Sequence, residues 1–248
     1  MTTPLPPVRI VLVEPEHPGN IGSAARALWT MGLSELVLVN PQCDPRAQEA
    51  YWLAHAARDV LDQMRIVPTL AEALADTVFS VGTTRRRRRV AYPIFLPHEA
   101  VAQIWQRAPT QPAAIVFGRE SSGLTNPELA LCSVQSSIPC AREEHSLNLA
   151  QAVLVYCTEI YAASERGTET GFDWRLVEHR ELETLYQHLD RLLRQLDARP
   201  ATTLDNYIAR FRRVFNRMAL ETRDVRLLLK LIHRVETELQ SARTRPGV

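Results

Sequence analysis

The residues best suited to chemistry fall in three short stretches. Asn20, Gly22 and Arg26 share the first; Gly118, Arg119, Glu120 and Gly123 follow Phe117 in the second; His145, Ser146, Leu147 and Asn148 make the third. A strand-to-helix turn with small residues lets a ligand or another backbone approach closely, and a helix N-terminus attracts anions. The glycine spacing fits neither a dinucleotide fingerprint nor a P-loop, and no serine here has glycine both two before and two after it, so a hydrolase elbow is excluded. Each stretch alone also has a plain structural reading. The first is a strand-to-helix turn, the second a turn with Asn126 capping the next helix, and the third a helix start capped by Ser146. A charged pair of Arg119 and Glu120 at a strand end is more than a mere turn needs.

These stretches punctuate an alternation of strands and helices. Residues 8–13 (VRIVLV) form a continuous apolar run of strand length, and residues 20–31 carry helix formers that stop at Gly32, a natural helix C-cap. Residues 35–39, 77–81, 113–117 and 134–138 read as further strands, with helices over 45–64, 97–107 and 147–163. Thr69 and Glu72 have capping-box spacing for a short helix after Pro68. Continuous apolar strands alternating with helices predict an α/β fold, a mostly parallel sheet covered on both faces, with ligands at the carboxyl ends of its strands. Residues 164–172 are polar and contain two glycines, which predicts a linker. Beyond it, residues 174–196, 204–218 and 222–241 are amphipathic helical patterns. The expected organisation is a catalytic domain over 1–163, a linker over 164–172 and a small all-helical extension over 173–248.

Composition, at 46% hydrophobic and 23% charged residues, is that of an ordinary globular protein. No apolar run approaches the roughly 18 residues of a bilayer span, and residues 1–9 lack a signal-peptide pattern, so a cytoplasmic location is expected. Cys43, Cys132, Cys140 and Cys157 are scattered without metal-ligand spacing, which predicts reduced thiols and no metal. Net charge is only +1, so the placement of charge says more than its total. Arg85 to Arg89 form an unbroken run, and Arg210, Arg212, Arg213 and Arg217 recur along one helical pattern. Arg87, Arg88, Arg89 and those four are candidates for phosphate contact.

Taken together and in this order, Asn-x-Gly-x-x-x-Arg, Phe-Gly-x-Glu-x-x-Gly-Leu and Ser-Leu-Asn-x-Ala resemble the three signature motifs of the TrmH branch of the SPOUT methyltransferases. The similarity runs from VRIVLVEPEHPGNIGSAARALWTMGL through VFGRESSGLTNPEL and SLNLAQAVLVY into RRVFNRMALETRDVRLLL, and so reaches into the extension. It implies S-adenosylmethionine as cofactor, a trefoil knot at the C-terminal end of the catalytic domain, a homodimer formed through that domain, and tRNA as substrate. The implied reaction is 2′-O-methylation of a ribose, at nucleotide 32 of the anticodon loop. By position, Thr83, Thr84, Arg85, Gly118, Ile138, His145, Ser146 and Leu147 correspond to cofactor contacts. Asn20, Arg26, Glu120, Ser146 and Asn148 correspond to the polar active-site set; Arg26 joins the arginines named above, which are candidates from their charge, as an expected RNA contact. A guanidinium stays charged, so Arg26 is expected to clamp phosphate and stabilise developing alkoxide charge in preference to acting as a base. His145 and the unbroken run Arg85 to Arg89 depart from the usual pattern and bear on specificity. Two other classes compete: a binding-only member of the fold, opposed by the intact polar set, and an ordinary nucleotide-binding α/β enzyme, opposed by the missing fingerprints.

Overall fold

In a computed structural model, residues 4–85, 93–141, 147–166, 175–196 and 203–244 are described, with side chains to 241. Contacts divide the chain into two units, Met1–Asp173 and Trp174–Val248. The first holds strands β1 (Val8–Val13), β2 (Leu36–Val39), β3 (Arg65–Val67), β4 (Phe79–Thr83), β5 (Ile94–Phe95), β6 (Ala113–Phe117) and β7 (Val134–Ser136). Their order is β3-β2-β1-β6-β4-β7-β5, and every pairing is parallel. Between them run α1 (Pro18–Thr30), α2 (Gln48–Ala54), α3 (Arg58–Gln63), α4 (Leu70–Leu74), α5 (Pro97–Arg107) and α6 (Asn126–Leu131), and α7 (Leu149–Arg166) closes the unit.

Strands β1, β2 and β6 read as near-continuous apolar runs because both of their faces are buried. Ile10, Leu12, Leu36, Leu38, Ile115 and Phe117 point into one core with α1, α2, α5 and α7. Val11, Val13, Val37, Val39, Ala114 and Val116 point into the other with α4 and α6. Successive side chains of a strand alternate faces, so such a strand has little room for polar side chains. Arg9 interrupts the run and is buried, with its guanidinium held by both oxygens of Asp76 at 2.6 and 2.9 Å and by the Ala73 carbonyl at 2.8 Å.

Several local expectations change. The helix expected over 45–64 is broken: α2 ends at Ala54, a 3₁₀ turn spans His55–Ala57, and His55 sits at φ 51 before α3 begins. The edge strands β3 and β5 were not expected, because three and two half-exposed residues carry neither an apolar run nor an alternation long enough to read. Gly32 takes φ 75 after α1, as a C-cap should, and the Thr69 hydroxyl accepts the Glu72 amide at 3.3 Å ahead of α4. The cap of α6 is Thr125 and not Asn126: its hydroxyl accepts from the Glu128 amide at 3.3 Å, while the Glu128 carboxylate accepts from the Thr125 amide at 2.6 Å. Helix α7 continues to Arg166, past the start of the expected linker. The expected knot involves residues 145–147, of which 145 and 146 lie outside the described residues.

The second unit contains α8 (His179–Gln195), α9 (Leu204–Arg217) and α10 (Thr222–Thr244). Val177, Leu185, Tyr186, Leu220, Val225 and Ile232 centre its core. Arg212 belongs to this packing. Its Nη2 donates to Glu183 Oε2 at 2.8 Å, its Nη1 donates to Oε1 of the same carboxylate, and its guanidinium lies 4.4 Å from the Tyr186 ring centroid. The fork of Arg212, expected from its charge as a candidate for phosphate contact, is here engaged by a carboxylate and an aromatic face on α8. Among the described residues, no helix is long and apolar enough to cross a membrane.

Candidate active site

The direction of the chain after β1 and β6 creates the site. β1 leads through α1, on one face of the sheet, to its neighbour β2; β6 leads through α6, on the other face, to β7. The two connections leave adjacent strands in opposite directions, which opens a crevice at their carboxyl ends. A cavity of about 490 Å³ lies there. The end of β4 contributes Thr83, Thr84 and Arg85, the loop after β6 contributes Gly118 to Leu124, and the segment after β7 contributes Ile138 and Cys140. Leu147 and Asn148 reach it from the start of α7, and His17 and Asn20 from the start of α1.

A directed chain of hydrogen bonds joins one residue of each polar stretch. The Asn20 amide nitrogen donates to Glu120 Oε1 at 2.9 Å, and Glu120 Oε2 accepts from the Glu16 backbone at 3.0 Å. Asn20 Oδ1 accepts from Asn148 Nδ2 at 2.9 Å, and Asn148 Oδ1 accepts from the Ala150 backbone amide at 2.9 Å. Both ends are fixed in sense, because a carboxylate only accepts and a backbone amide only donates. Neither asparagine can therefore flip without setting two donors or two acceptors face to face. Asn148 caps α7, with Gln151 Oε1 accepting from its backbone amide at 3.2 Å; Ser146, which the capping reading chose, lies outside the described residues. The same side chain thus starts a helix and presents its second N–H at the helix's positive end, where growing negative charge is stabilised.

The loop after β6 is built as a rigid wall. Gly123, at φ 72, donates its amide to the Arg119 carbonyl at 2.8 Å. Arg119 and Glu120 turn to different partners, Glu120 to Asn20 and the Glu16 amide. Arg119 instead donates from Nε to Glu14 at 2.7 Å and from its two Nη atoms to Glu128 at 3.1 and 3.0 Å, tying the end of β1 to α6. The bond from Arg119 holds the Glu14 carboxyl below its usual range. Burial works to raise Glu128, but bonds from Arg119 and Thr125 outweigh it and leave that carboxyl low as well. Glu14 itself has φ 47, a conformation rare outside glycine, and it is held there by this clamp. On the cavity floor, Tyr156 donates to Ser136 Oγ at 2.7 Å, and burial pushes its hydroxyl up to about 12.

Two glycines serve the backbone itself. A Cβ on Gly22 would lie 2.0 Å from the Ala50 carbonyl oxygen, so the first stretch needs glycine where α1 crosses α2. A Cβ on Gly118 would meet the backbone of Gly123 and Leu124 at 2.2 Å. Gly118, which corresponds to a cofactor contact, lines the cavity, and the absence of a side chain there is already required by its own loop.

Of the residues expected at the site, Asn20, Thr83, Thr84, Arg85, Gly118, Glu120, Ile138, Leu147 and Asn148 converge on the cavity. Arg26 does not line it; it is exposed on α1. His145 and Ser146, and Arg87, Arg88 and Arg89, lie outside the described residues. His17, Ser136, Cys140 and Tyr156 were not anticipated, since nothing in a single residue's sequence neighbourhood marks it as facing a cavity formed by four strand ends. Among the described residues, no group of three metal-ligating side chains is assembled.

Comparison with known proteins agrees with this arrangement. Residues 7–158 match the SpoU rRNA Methylase family. The chain is 39% identical over 237 residues to the tRNA (cytidine/uridine-2′-O-)-methyltransferase TrmJ of Sodalis glossinidius, covering 92% of this chain and 91% of that protein. The crystal structure of TrmJ from Z. mobilis ZM4 superposes with a TM-score of 0.79 at 31% identity, covering 92% of this chain and 98% of the other. A structure described as giving insight into the 2-OH methylation of C/U34 on tRNA superposes at 0.52 with 27% identity, covering 65% of this chain and 97% of the other. Matched along its catalytic unit by the family and along nearly its whole length by TrmJ relatives, the chain is an RNA methyltransferase that belongs to the SpoU methylase family, in the branch of its TrmJ relatives.

Proposed function

We propose that this protein transfers a methyl group from S-adenosylmethionine to the ribose 2′-oxygen of nucleotide 32 in the anticodon loop of tRNA, acting in the cytoplasm as a homodimer with a knotted catalytic domain. The observation that carries the reading is the chain Glu120–Asn20–Asn148, which holds polar groups from three distant stretches in one orientation at the edge of the cavity. The cavity suits the cofactor: its volume is in the range of small-molecule sites, with apolar Leu124, Ile138 and Leu147 for a nucleoside and the hydroxyls of Thr83, Thr84 and Ser136 for its polar groups. When bound, the cofactor supplies an electrophilic methyl on sulfur, so the protein's share is positioning and charge stabilisation. Asn148, immobilised from both sides, orients the ribose hydroxyl and meets the charge growing on its oxygen. Ser146 is assigned beside it, and His145 to the cofactor.

Arg26, exposed on the helix that carries Asn20, is assigned to a substrate phosphate. Arg87, Arg88, Arg89, Arg210, Arg213 and Arg217 extend that contact along the tRNA. Nucleotide 32 is taken from the resemblance of the three motifs; the likeness to a TrmJ relative over 92% of the chain, against 65% for the C/U34 structure, reaches the helical unit, to which we assign a part in choosing the site. The homodimer is supported by large apolar side chains left exposed on the catalytic unit, among them Trp29, Leu154 and Tyr161. Incubation of unmodified tRNA with methyl-labelled S-adenosylmethionine and the protein, followed by mapping of ribose methylation, tests the proposal. Label on the ribose of nucleotide 32 is expected; label at nucleotide 34, on a base, or nowhere refutes the assignment.

A further inference from the structure

We infer that His17 accepts the proton of the ribose 2′-hydroxyl during methyl transfer, an inference that rests on the reaction proposed above. The transfer breaks an O–H bond, and the proton needs an acceptor. The titratable groups in the described cavity wall are His17, Arg85, Arg119, Glu120, Cys140 and Tyr156. Two are guanidiniums, which are already protonated. Glu120 has both oxygens engaged, one by Asn20 and one by the Glu16 amide. The Tyr156 hydroxyl is buried and given to Ser136, and the Cys140 thiol lies against the Ile138 carbonyl at 3.7 Å.

His17 differs from all of these. It stands at the N-cap of α1 and, among the described residues, forms no side-chain cap hydrogen bond; its backbone carbonyl accepts from the amides of Asn20 and Ile21. The residue is exposed, so a proton taken up there can pass to water. It stands three positions before Asn20 and lines the same cavity as Asn20 and Asn148, the residues of the relay. Imidazole is also the side chain that exchanges protons most readily near neutrality. In the step, the O2′–H bond breaks with its proton passing to an imidazole nitrogen, O2′ bonds the methyl carbon, and the electron pair of the broken C–S bond returns to sulfur. The imidazolium then releases its proton to solvent. The charged groups beside it in the chain and around the cavity are Glu16, Glu120, Arg85 and Arg119, with Glu49 of α2 packed beside Gly19.

The test compares the wild type, His17→Gln and His145→Gln in single-turnover methylation across pH 5 to 8, together with tRNA affinity in the absence of cofactor and the NMR titration of the His17 ring with and without tRNA. His17→Gln should lose about 10²-fold or more in rate and flatten the acid limb of the profile while binding tRNA as before, and tRNA should shift the titration of the ring. Retention of rate and acid limb by His17→Gln, or loss of the limb in His145→Gln alone, overturns the inference. A drop in rate that follows weakened tRNA binding, with the limb unchanged, overturns it as well. A wild type that methylates no ribose instead defeats the underlying reaction, so the two failures are distinguishable.

Discussion

Replacing Glu120 by glutamine is the sharpest probe of the relay, because it keeps size and shape and changes only which atoms accept. In the native chain both oxygens are used, at 2.9 Å to Asn20 and 3.0 Å to the Glu16 amide. A glutamine can satisfy one of these donors but must turn an N–H toward the other. Rotating Asn20 to compensate moves the conflict to Asn148, whose orientation the Ala150 amide already fixes. One charge-assisted hydrogen bond is thus lost wherever the mismatch settles, at about 1.5–3 kcal/mol. Expressed in the step that depends on Asn148, this is a loss of roughly 10- to 150-fold in single-turnover rate. In an Asn20→Ala background the glutamine is free to face the Glu16 amide with its oxygen, so the second substitution should cost much less. The assay is single-turnover methylation of tRNA by the wild type, both single variants and the double variant, with cofactor affinity measured alongside. A coupling of 0.5 kcal/mol or more, on the order seen for residues sharing one network, is expected. Strictly additive losses, or a Glu120→Gln rate equal to wild type, would refute a relay in which polarity matters.

Glu14 and Glu128 have carboxyls held below their ordinary value of 4.5 by bonds to Arg119, so their stabilising effect is complete above that value and is lost as pH falls through the lowered folded-state values. On acidification below about pH 4.5 the melting temperature should drop more steeply in wild type than in Arg119→Met, and parallel slopes would argue against the clamp. Arg212→Ala should destabilise the helical unit by about 2 kcal/mol, discounted from buried-pair values for the fifth of exposure that Arg212 and Glu183 retain, whereas Arg210→Ala should leave melting unchanged and flatten the salt dependence of tRNA binding. Equal melting losses in the two variants would remove the distinction between them. Arg26→Ala should severely reduce methyl transfer with cofactor affinity nearly intact, since Arg26 lies outside the cavity wall, and Arg26→Lys should remain poor for want of a planar fork. Near-normal turnover by the lysine variant would discard the clamp.

The sequence by itself determined what depends on neighbours along the chain. Near-continuous apolar runs marked β1, β2 and β6 because a strand buried on both faces has little room for polar side chains. Gly32 and the Thr69–Glu72 box marked helix ends because capping is local chemistry, and the order of three polar motifs was enough to indicate the family. What the sequence left open lies between residues far apart in it. Asn20 meets Glu120 across 100 positions and Asn148 across 128, and such separations leave no periodicity to read. Arg119 and Arg212 showed the same thing from the other side. Their charge was plain, but whether each meets a neighbour, a phosphate or a distant carboxylate was decided only when β1 came to lie beside β6, and α8 beside α9. Tertiary structure makes that choice because a charged side chain is held by whatever partner the backbone brings within about 3 Å, and only the completed fold supplies that partner.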